Sequence, residues 1–504
     1  MRNNIAFNVL GRVWQAFITI FIVPVYIGLV GVEGYALVAM YSVFVASAQL
    51  FDLGIPGVVT RELAKLGKGP SKDVCGKSLF CAVERIYLSI YLFLSILFLF
   101  GIEVVSAYGG DSGGIFGLDK SASMFFGVAV CVQAPLTIYK AGLLGLERQV
   151  ALNILNIVTT AIAAIGGLIV LKMSGGGLGL YFIWVGAVSI MQLVSYRYFL
   201  MVALPVTNCG CGELLSHVDV LKRHWRYSGM LYVTTLMVIV ITYLDRFMVG
   251  AMTATNALGI YLMASTAASS LNLIPAPLTD AFMPRYVRSY AQGKLVELNN
   301  QFTLGSELVA ILVVSLSAVL FYFGQEILSI WLREVPVSNE LVIIFRLLVV
   351  SVCLNIIISS VDALQVVSGD MRVMFISRVL ALIVIGPALY FMINKFGAVG
   401  APWCWLIING VTVAVVPHYV FRSVLGLSPV SWGSKWLRVF AISIVTVWVL
   451  RNILTTQYFY GAGFAQSTGV IVGLCAAVIG INLVFSENGR AVIRSQFGRV
   501  IGWA

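Results

Sequence analysis

Long apolar segments separated by short polar ones make up almost the whole chain. The clearest example runs from Tyr35 to Phe51 without a charged residue, is closed by Asp52 and Gly54, and is followed by a basic stretch. An apolar run of this length that ends in turn residues and then in lysine and arginine is typical of a membrane helix that leaves the bilayer on the cytoplasmic side. The pattern predicts an all-α polytopic membrane protein with about 14 transmembrane helices.

The predicted spans are separated by turn residues or by polar loops. The thirteenth is interrupted by an arginine. Their predicted bounds are Val9–Val30, Tyr35–Leu53, Leu79–Val104, Ser121–Leu144, Ala151–Leu171, Leu178–Leu200, Tyr227–Gly250, Ala257–Leu278, Leu304–Phe323, Leu341–Val367, Met374–Asn394, Ala398–Val420, Leu437–Thr456 and Gly463–Phe485. The segment Asp280–Gln301 is polar enough to predict a loop on the membrane surface.

Composition and charge agree with this pattern. Of the 504 residues, 60% are hydrophobic and 11% are charged, whereas a soluble domain carries about 25% charged residues. The net charge of +11 favours cytoplasmic loops that face anionic lipid over nucleic acid, because the cations lie between apolar runs. With the N-terminus inside, 25 of the 32 lysines and arginines fall at inner ends and loops, which predicts that both termini are cytoplasmic.

The opening pattern returns later in the chain. Tyr35 corresponds to Tyr261 at an offset of 226 residues, and Gly179 corresponds to Gly400 at an offset of 221. Six spans separate the copies, and an even number predicts parallel repeats about an axis along the membrane normal. The alternative is a chance likeness between apolar stretches.

The repeat predicts three parts of the chain. Residues 1–210 form an N-lobe with spans 1–6, residues 211–421 form a C-lobe with spans 7–12, and residues 422–504 hold spans 13–14 and a cytoplasmic tail. Two matched bundles beside a central path suit alternating access.

Short motifs lie mostly in the first 65 residues: Asn3-Asn4, Asn8, the turn Leu29–Tyr35, the segment Phe51–Ile55 and the segment Thr60–Ala64. They resemble those of Wzx-type O-antigen flippases. These belong to the polysaccharide transport branch of the MOP superfamily, which also holds the MATE drug exporters and the flippase for the peptidoglycan lipid precursor.

This resemblance implies a function and an architecture. The expected activity is the transfer of an undecaprenyl-pyrophosphate-linked oligosaccharide from the inner to the outer leaflet of a bacterial inner membrane. The two lobes would enclose a V-shaped cavity that opens to each side in turn. The expected partners are the lipid-linked oligosaccharide, membrane lipid, a polysaccharide polymerase and a chain-length regulator.

Cations inside the predicted spans are the first candidate site residues. An ionisable group at a helix centre costs about 2.5–3.5 kcal/mol on insertion scales, so those that remain are expected to face a cavity. A pyrophosphate needs such cations, and the candidates are Arg346, Lys140, Arg12 and Arg85. For Arg12 and Arg85 the alternative is that their stems reach the inner headgroups.

Four acids at or inside spans are candidates for ion coupling or for a gate: Asp362, Asp245, Asp52 and Glu307. Asp52 has the alternative role of capping the turn before Gly54, and Asp245 that of a pair with Arg246. Lys140 and Asp362 occupy equivalent places in the two repeats, which leads to the hypothesis that they form an inner gate. Separate partners for the two residues are the alternative.

The chain lacks a Walker loop and a metal motif, so the prediction is a transporter without a cofactor, apart from a coupling ion, H⁺ or Na⁺. A MATE-like, cation-coupled exporter of small molecules is the second interpretation. Several cations within span halves favour an anionic cargo over it. A membrane glycosyltransferase or polymerase ranks third because the outer loops are short.

Overall fold

A computed structural model of the chain describes residues 2–66, 76–108, 119–204, 233, 236–333, 335–453, 464–486 and 489–490. The helices of the first half are α1 (Arg2–Ser47), α2 (Ile55–Leu66), α3 (Gly76–Tyr108), α4 (Lys120–Gln133), α5 (Leu136–Gly145), α6 (Gln149–Met173), α7 (Leu178–Ala203) and α8, described over 236–252. Those of the second half are α9 (Thr255–Ser269), α10 (Pro275–Ala291), α11 (Leu295–Tyr322), α12 (Gly324–Leu332), α13 (Asn339–Ser368), α14 (Arg372–Phe396), α15 (Gly400–Val424), α16 (Val430–Ile453) and α17 (Phe464–Phe485).

Eleven stretches of the described chain are long and apolar enough to cross a membrane. Two of them each cover all or part of two predicted spans: Ile20–Phe51 bends at Gly31, and Arg372–Val424 bends at Gly397. The other nine each correspond to one predicted span, and the predicted seventh span lies partly outside the described residues. The prediction of an all-α polytopic membrane protein is confirmed.

The bends depend on glycine. Gly31 adopts φ 71° and ψ −179° within α1, and Gly397 adopts φ 62° after α14. Side chains with a Cβ are strongly disfavoured in this part of φ/ψ space. A glycine at each of these points therefore lets one membrane helix turn directly into the next.

One predicted loop is helical instead. The segment Asp280–Gln301 was expected to be a surface loop, yet α10 continues to Ala291 and α11 already begins at Leu295. The same arrangement follows the second span, where a 3₁₀ turn at Ala48–Phe51 leads into α2. A 3₁₀ turn at Ser270–Leu273 leads into α10 in the same way. The sequence repeat is thus matched by a repeated structural motif.

The chain divides into two compact units, Met1–Gly259 and Ile260–Ala504. The predicted boundary between residues 210 and 211 lies outside the described residues, so the three-part division stays a prediction.

In the first unit, α1 packs against α6, α4 against α7, and α2 against α5. A buried core joins α2, α3, α5 and α7, with Leu63, Tyr87 and Leu200 among its members. Close approach of α5 to α2 requires Gly145, because a Cβ there would lie 2.6 Å from the carbonyl oxygen of Thr60. This core surrounds several of the polar groups described below.

In the second unit, α13 packs against α15 and α11, and α11 also packs against α16 and α17. Asn482 of α17 donates hydrogen bonds from Nδ2 to Ser315 Oγ (3.1 Å) and Ser443 Oγ (2.9 Å). All three residues are buried. The last two helices are thus fixed to α11 by polar contacts as well as by apolar packing.

Candidate functional site

Several charged side chains within the described spans are paired inside their own unit. On α3, Glu84 accepts a bidentate contact from Arg197 of α7, with Nε to Oε1 at 2.7 Å and Nη2 to Oε2 at 3.3 Å. Tyr139 of α5 donates to the same Oε1 at 2.8 Å. The buried carboxylate is satisfied by three bonds from two helices. Sequence reasoning missed Arg197, because it was counted among the cations of the inner loops.

Asp362, one of the predicted gate residues, is part of a second network. Arg378 of α14 places Nη2 2.9 Å from Asp362 Oδ2, and Gln365 donates to Asp362 Oδ1 at 3.1 Å. Gln365 Oε1 in turn accepts from the backbone N–H of Met374 at 2.7 Å. Asp362 therefore has a cationic partner within its own unit, which was the alternative to the gate hypothesis. The gate with Lys140 stays a prediction.

Glu307, predicted for ion coupling or a gate, lies at the junction of three helices. Lys435 Nζ of α16 is 3.5 Å from Glu307 Oε2, and Ser486 at the end of α17 donates to Oε1 at 2.6 Å. These contacts fix the last two helices to α11. In the structure Glu307 links α11 to α16 and to the end of α17. Its role in ion coupling or in a gate stays a prediction.

Asp245 and Arg246 lie on α8. Asp245 Oδ1 accepts a hydrogen bond from the backbone N–H of Arg246 at 2.8 Å, and the Arg246 guanidinium lies 5.1 Å from the centroid of the Tyr243 ring. The coupling role predicted for Asp245 is untested.

A further pair that sequence reasoning missed links α16 to α12: Arg451 Nη1 is 2.6 Å from the buried Glu326 Oε1.

Asp52 differs from these acids. It is 8% exposed, and Tyr87 and Tyr91 of α3 both donate to its Oδ1, at 2.5 and 2.6 Å. The sequence offered the alternative that Asp52 caps the turn before Gly54. In the described residues its carboxylate instead bonds to the two phenols, so this alternative is wrong for the side chain.

Lys140 is the first of the two half-buried predicted cations without a described carboxylate partner. It is half-buried on α5, and its Nζ lies 5.7 Å from the centroid of the Tyr196 ring on α7. The ring face stabilises the ammonium by a cation–π contact, but that contact leaves the N–H donors available. Lys140 can therefore donate to an anion.

Arg346 is the second such cation. It lies half-buried on α13, with its guanidinium 5.8 Å from the centroid of the Phe321 ring on α11. Its Nε is buried and has no hydrogen-bond partner among the described residues. A buried guanidinium N–H without an acceptor is costly. A bound anion would remove this cost.

The two other predicted cations lie differently. Arg85 is exposed on α3, next to Glu84, which takes Arg197 as its partner. Its position agrees with the alternative that the side chain reaches the headgroups. The side chain of Arg12 lies outside the described part of the chain.

The sequence matches a family model described as polysaccharide biosynthesis protein over residues 1–290. The match covers more than half of the 504 residues. The chain belongs to the polysaccharide biosynthesis protein family. No curated protein matches it significantly by sequence.

Solved structures confirm the fold of this family member. A lipid II flippase MurJ in an inward closed conformation is similar with a TM-score of 0.71 at 13% identity, covering 99% of this chain and 100% of that one. An inward-facing MATE family multidrug transporter of the MOP superfamily gives 0.60 at 12%, covering 82% and 95%. A MOP superfamily transporter from Pyrococcus furiosus, with a binding pocket of reversed polarity, gives 0.56 at 12%, covering 84% and 95%.

The chain thus has the fold of membrane transporters and, in each unit, a half-buried cation without a described carboxylate partner: Lys140 and Arg346. Among the described residues no group of three His, Cys, Asp or Glu side chains is placed to hold a metal ion. Hydrogen bonding and charge are the chemistry that these side chains offer: Lys140 as a point charge and Arg346 as a planar donor.

Proposed function

We propose that this protein flips undecaprenyl-pyrophosphate-linked O-antigen or related polysaccharide repeat units from the cytoplasmic to the periplasmic leaflet of a bacterial inner membrane. Transport proceeds by alternating access and is coupled to an ion, H⁺ or Na⁺. Both termini are cytoplasmic in this proposal. The chain acts as a transporter and not as an enzyme. Its partners are a polysaccharide polymerase and a chain-length regulator, which use the exported repeat units.

The observation that carries the proposal is the contrast between paired and unpaired cations. Arg197, Arg378 and Arg451 each face a carboxylate, whereas Lys140 and Arg346 face only aromatic rings among the described residues. A cation within a membrane span is expensive unless it meets an opposite charge or water. A diphosphate supplies the missing charge, since its oxygens accept bidentate hydrogen bonds from a guanidinium.

A deletion strain tests the proposed function. Loss of the protein should remove surface glycan and leave lipid-linked repeat units facing the cytoplasm. Lys140→Ala and Arg346→Ala should each lower export about 10- to 100-fold, because a hydrogen bond to a charged group contributes about 1.5–3 kcal/mol. The matched control is Arg372→Ala, which removes a side chain that is 88% exposed at the start of α14 and should leave export near the wild-type rate.

The second candidate, a MATE-like exporter of small molecules, gives a different result in the same strain. Unchanged surface glycan together with hypersensitivity to drugs would refute the flippase proposal and favour the exporter. The fold likeness to MATE transporters supports this candidate. The unpaired cations oppose it, because a cationic drug is repelled by Lys140 and Arg346.

A further inference from the structure

Asp52 is a buried carboxylate whose hydrogen-bond partners among the described residues include no cation. Glu84, Glu307 and Glu326 are buried as well, and each lies beside an arginine or a lysine. Asp52 has only the hydroxyls of Tyr87 and Tyr91 as described side-chain partners. A carboxyl group held by neutral donors can exist in the charged and the neutral form without leaving a cation unpaired.

The geometry around Asp52 fits a proton better than a metal ion. Both phenol oxygens lie 2.5–2.6 Å from Oδ1. These are hydrogen-bond distances between oxygens, and they leave no space for a cation between them. Oδ2 accepts no hydrogen bond from the described residues, so it is the atom that can take up a proton.

Tyr91 has two acceptors for one hydroxyl proton. Its Oη lies 2.6 Å from Asp52 Oδ1 and 2.9 Å from the carbonyl oxygen of Ala48. A phenol carries one O–H donor, so it bonds to one of them at a time. The charged carboxylate is the stronger acceptor. Loss of that charge favours a switch of the hydroxyl to Ala48, which lies in the 3₁₀ turn that ends the second span.

The other charged groups around Asp52 have different contacts. On α3, Glu84 is bound by Arg197 of α7 and by Tyr139 of α5. On α5, Lys140 lies against the Tyr196 ring. Arg61 and Glu62 of α2, which follows the Asp52 turn, are not among the described partners of Asp52.

We propose that Asp52 is the proton-binding site of this protein, with Tyr87 and Tyr91 as its hydrogen-bond donors, and that one proton moves through it in each transport cycle. The coupling to export rests on the proposed function and its topology, whereas the proton site itself does not. Uptake places a proton on Oδ2 of the carboxylate, which becomes a neutral carboxylic acid. The Tyr91 hydroxyl then turns from Oδ1 to Ala48. Release of the proton to the cytoplasm restores the carboxylate and returns the Tyr91 hydroxyl to Oδ1. No electrons are transferred.

Infrared spectroscopy on the full chain in liposomes tests the site directly. A pH titration, read as the difference from the spectra of each variant so that the other acids cancel, should show the C=O stretch of one carboxylic acid that appears on acidification. The Asp52→Asn variant should lose it, and Asp52→Glu should regain it. The matched control is Glu326→Gln, which changes an acid held by Arg451 and should keep the band. A band that persists in Asp52→Asn, or one lost in Glu326→Gln instead, would refute the proton site.

Export in cells tests the coupling. With one proton per cycle, each unit of pH gradient changes the accumulation ratio about tenfold. Collapse of the gradient with nigericin should therefore slow wild-type export, and export by Asp52→Asn should be slower and insensitive to nigericin. Equal sensitivity of the wild type and Asp52→Asn would contradict the coupling.

The two experiments separate the two proposals. An infrared band assigned to Asp52 in a protein whose deletion leaves glycan export unchanged would refute the flippase and keep the proton site. Confirmed export by a chain without that band would keep the flippase and refute the proton site.

Discussion

Arg378 on α14 lies against Asp362 on α13, with 2.9 Å between Nη2 and Oδ2. The sequence predicted Asp362 as half of a gate with Lys140, but its charge is balanced by a residue only 16 positions further along the chain. A gate that uses Asp362 has to break or share this pair.

Arg378→Ala should destabilise the protein by about 3 kcal/mol, the low end for breaking a buried ion pair, because both side chains keep some exposure. The cause is the carboxylate of Asp362, which stays only 14% exposed and loses its cation. Thermal unfolding in detergent measures the change.

The double variant Asp362→Asn with Arg378→Ala removes both charges and should be more stable than Arg378→Ala alone. If the double variant is as unstable as the sum of the two single variants, the residues do not interact as a pair.

Arg197→Ala should destabilise the protein more than Glu84→Gln does. The side chain of Arg197 is 54% exposed and that of Glu84 is 6% exposed, so removal of the arginine leaves a buried charge, whereas removal of the acid leaves a cation that water can reach. Unfolding midpoints of the two variants test the order. The neighbouring exposed Arg85→Ala is the control and should change the midpoint little; a loss as large as that of Arg197→Ala would mean that the pair is not the cause.

Gly31→Ala should cost about 1–3 kcal/mol, because Gly31 has a positive φ that an alanine adopts only with strain. Gly28→Ala is the matched control three residues earlier. Gly28 has an ordinary helical φ, and a Cβ there would meet nothing within 4 Å, so alanine should stabilise the helix by up to about 1 kcal/mol. Opposite shifts of the two unfolding midpoints are expected. A shift of Gly31→Ala in the same direction as Gly28→Ala would contradict the strained bend.

Asn482→Ala should cost about 1–3 kcal/mol, because Ser315 and Ser443 lose a buried hydrogen-bond partner. The expected consequence is earlier release of α16 and α17, which limited proteolysis detects as cleavage near the C-terminus. Asn452→Ala is the control: this exposed side chain bonds only to the carbonyl oxygen of Trp448 one turn before. It should change the unfolding midpoint by about 0.5 kcal/mol or less.

Much of the fold followed from local pattern. An uncharged apolar run such as Tyr35–Phe51 satisfies its backbone hydrogen bonds in a bilayer only as a helix, so the spans could be placed before any contact was known. Their ends were harder to place. At Gly31 and Gly397 the chain turns from one span into the next with little or no loop, because a single positive φ replaces it.

The candidate cations followed from the sequence in part. Lys140 and Arg346 were found because a charge within an apolar run is conspicuous. All three cations, Lys140, Arg346 and Arg85, look alike in sequence. Only their burial in the structure distinguishes the half-buried Lys140 and Arg346 from the exposed Arg85. Arg197 and Arg378 could have been found by looking for a cation at the same depth in the membrane as an acid on a neighbouring helix. Depth alone, however, is compatible with many different pairs.

The sequence by itself determined that this protein is a bundle of membrane helices, because hydrophobicity and helix formation are properties of continuous segments. The tertiary structure alone decided which charges are paired and which have no carboxylate partner among the described residues. Glu84 and Arg197 lie 113 residues apart, and Asp52 meets Tyr87 from 35 residues away. Such partners are brought together by helix packing, which depends on the shapes of many side chains at once and leaves no local mark in the sequence.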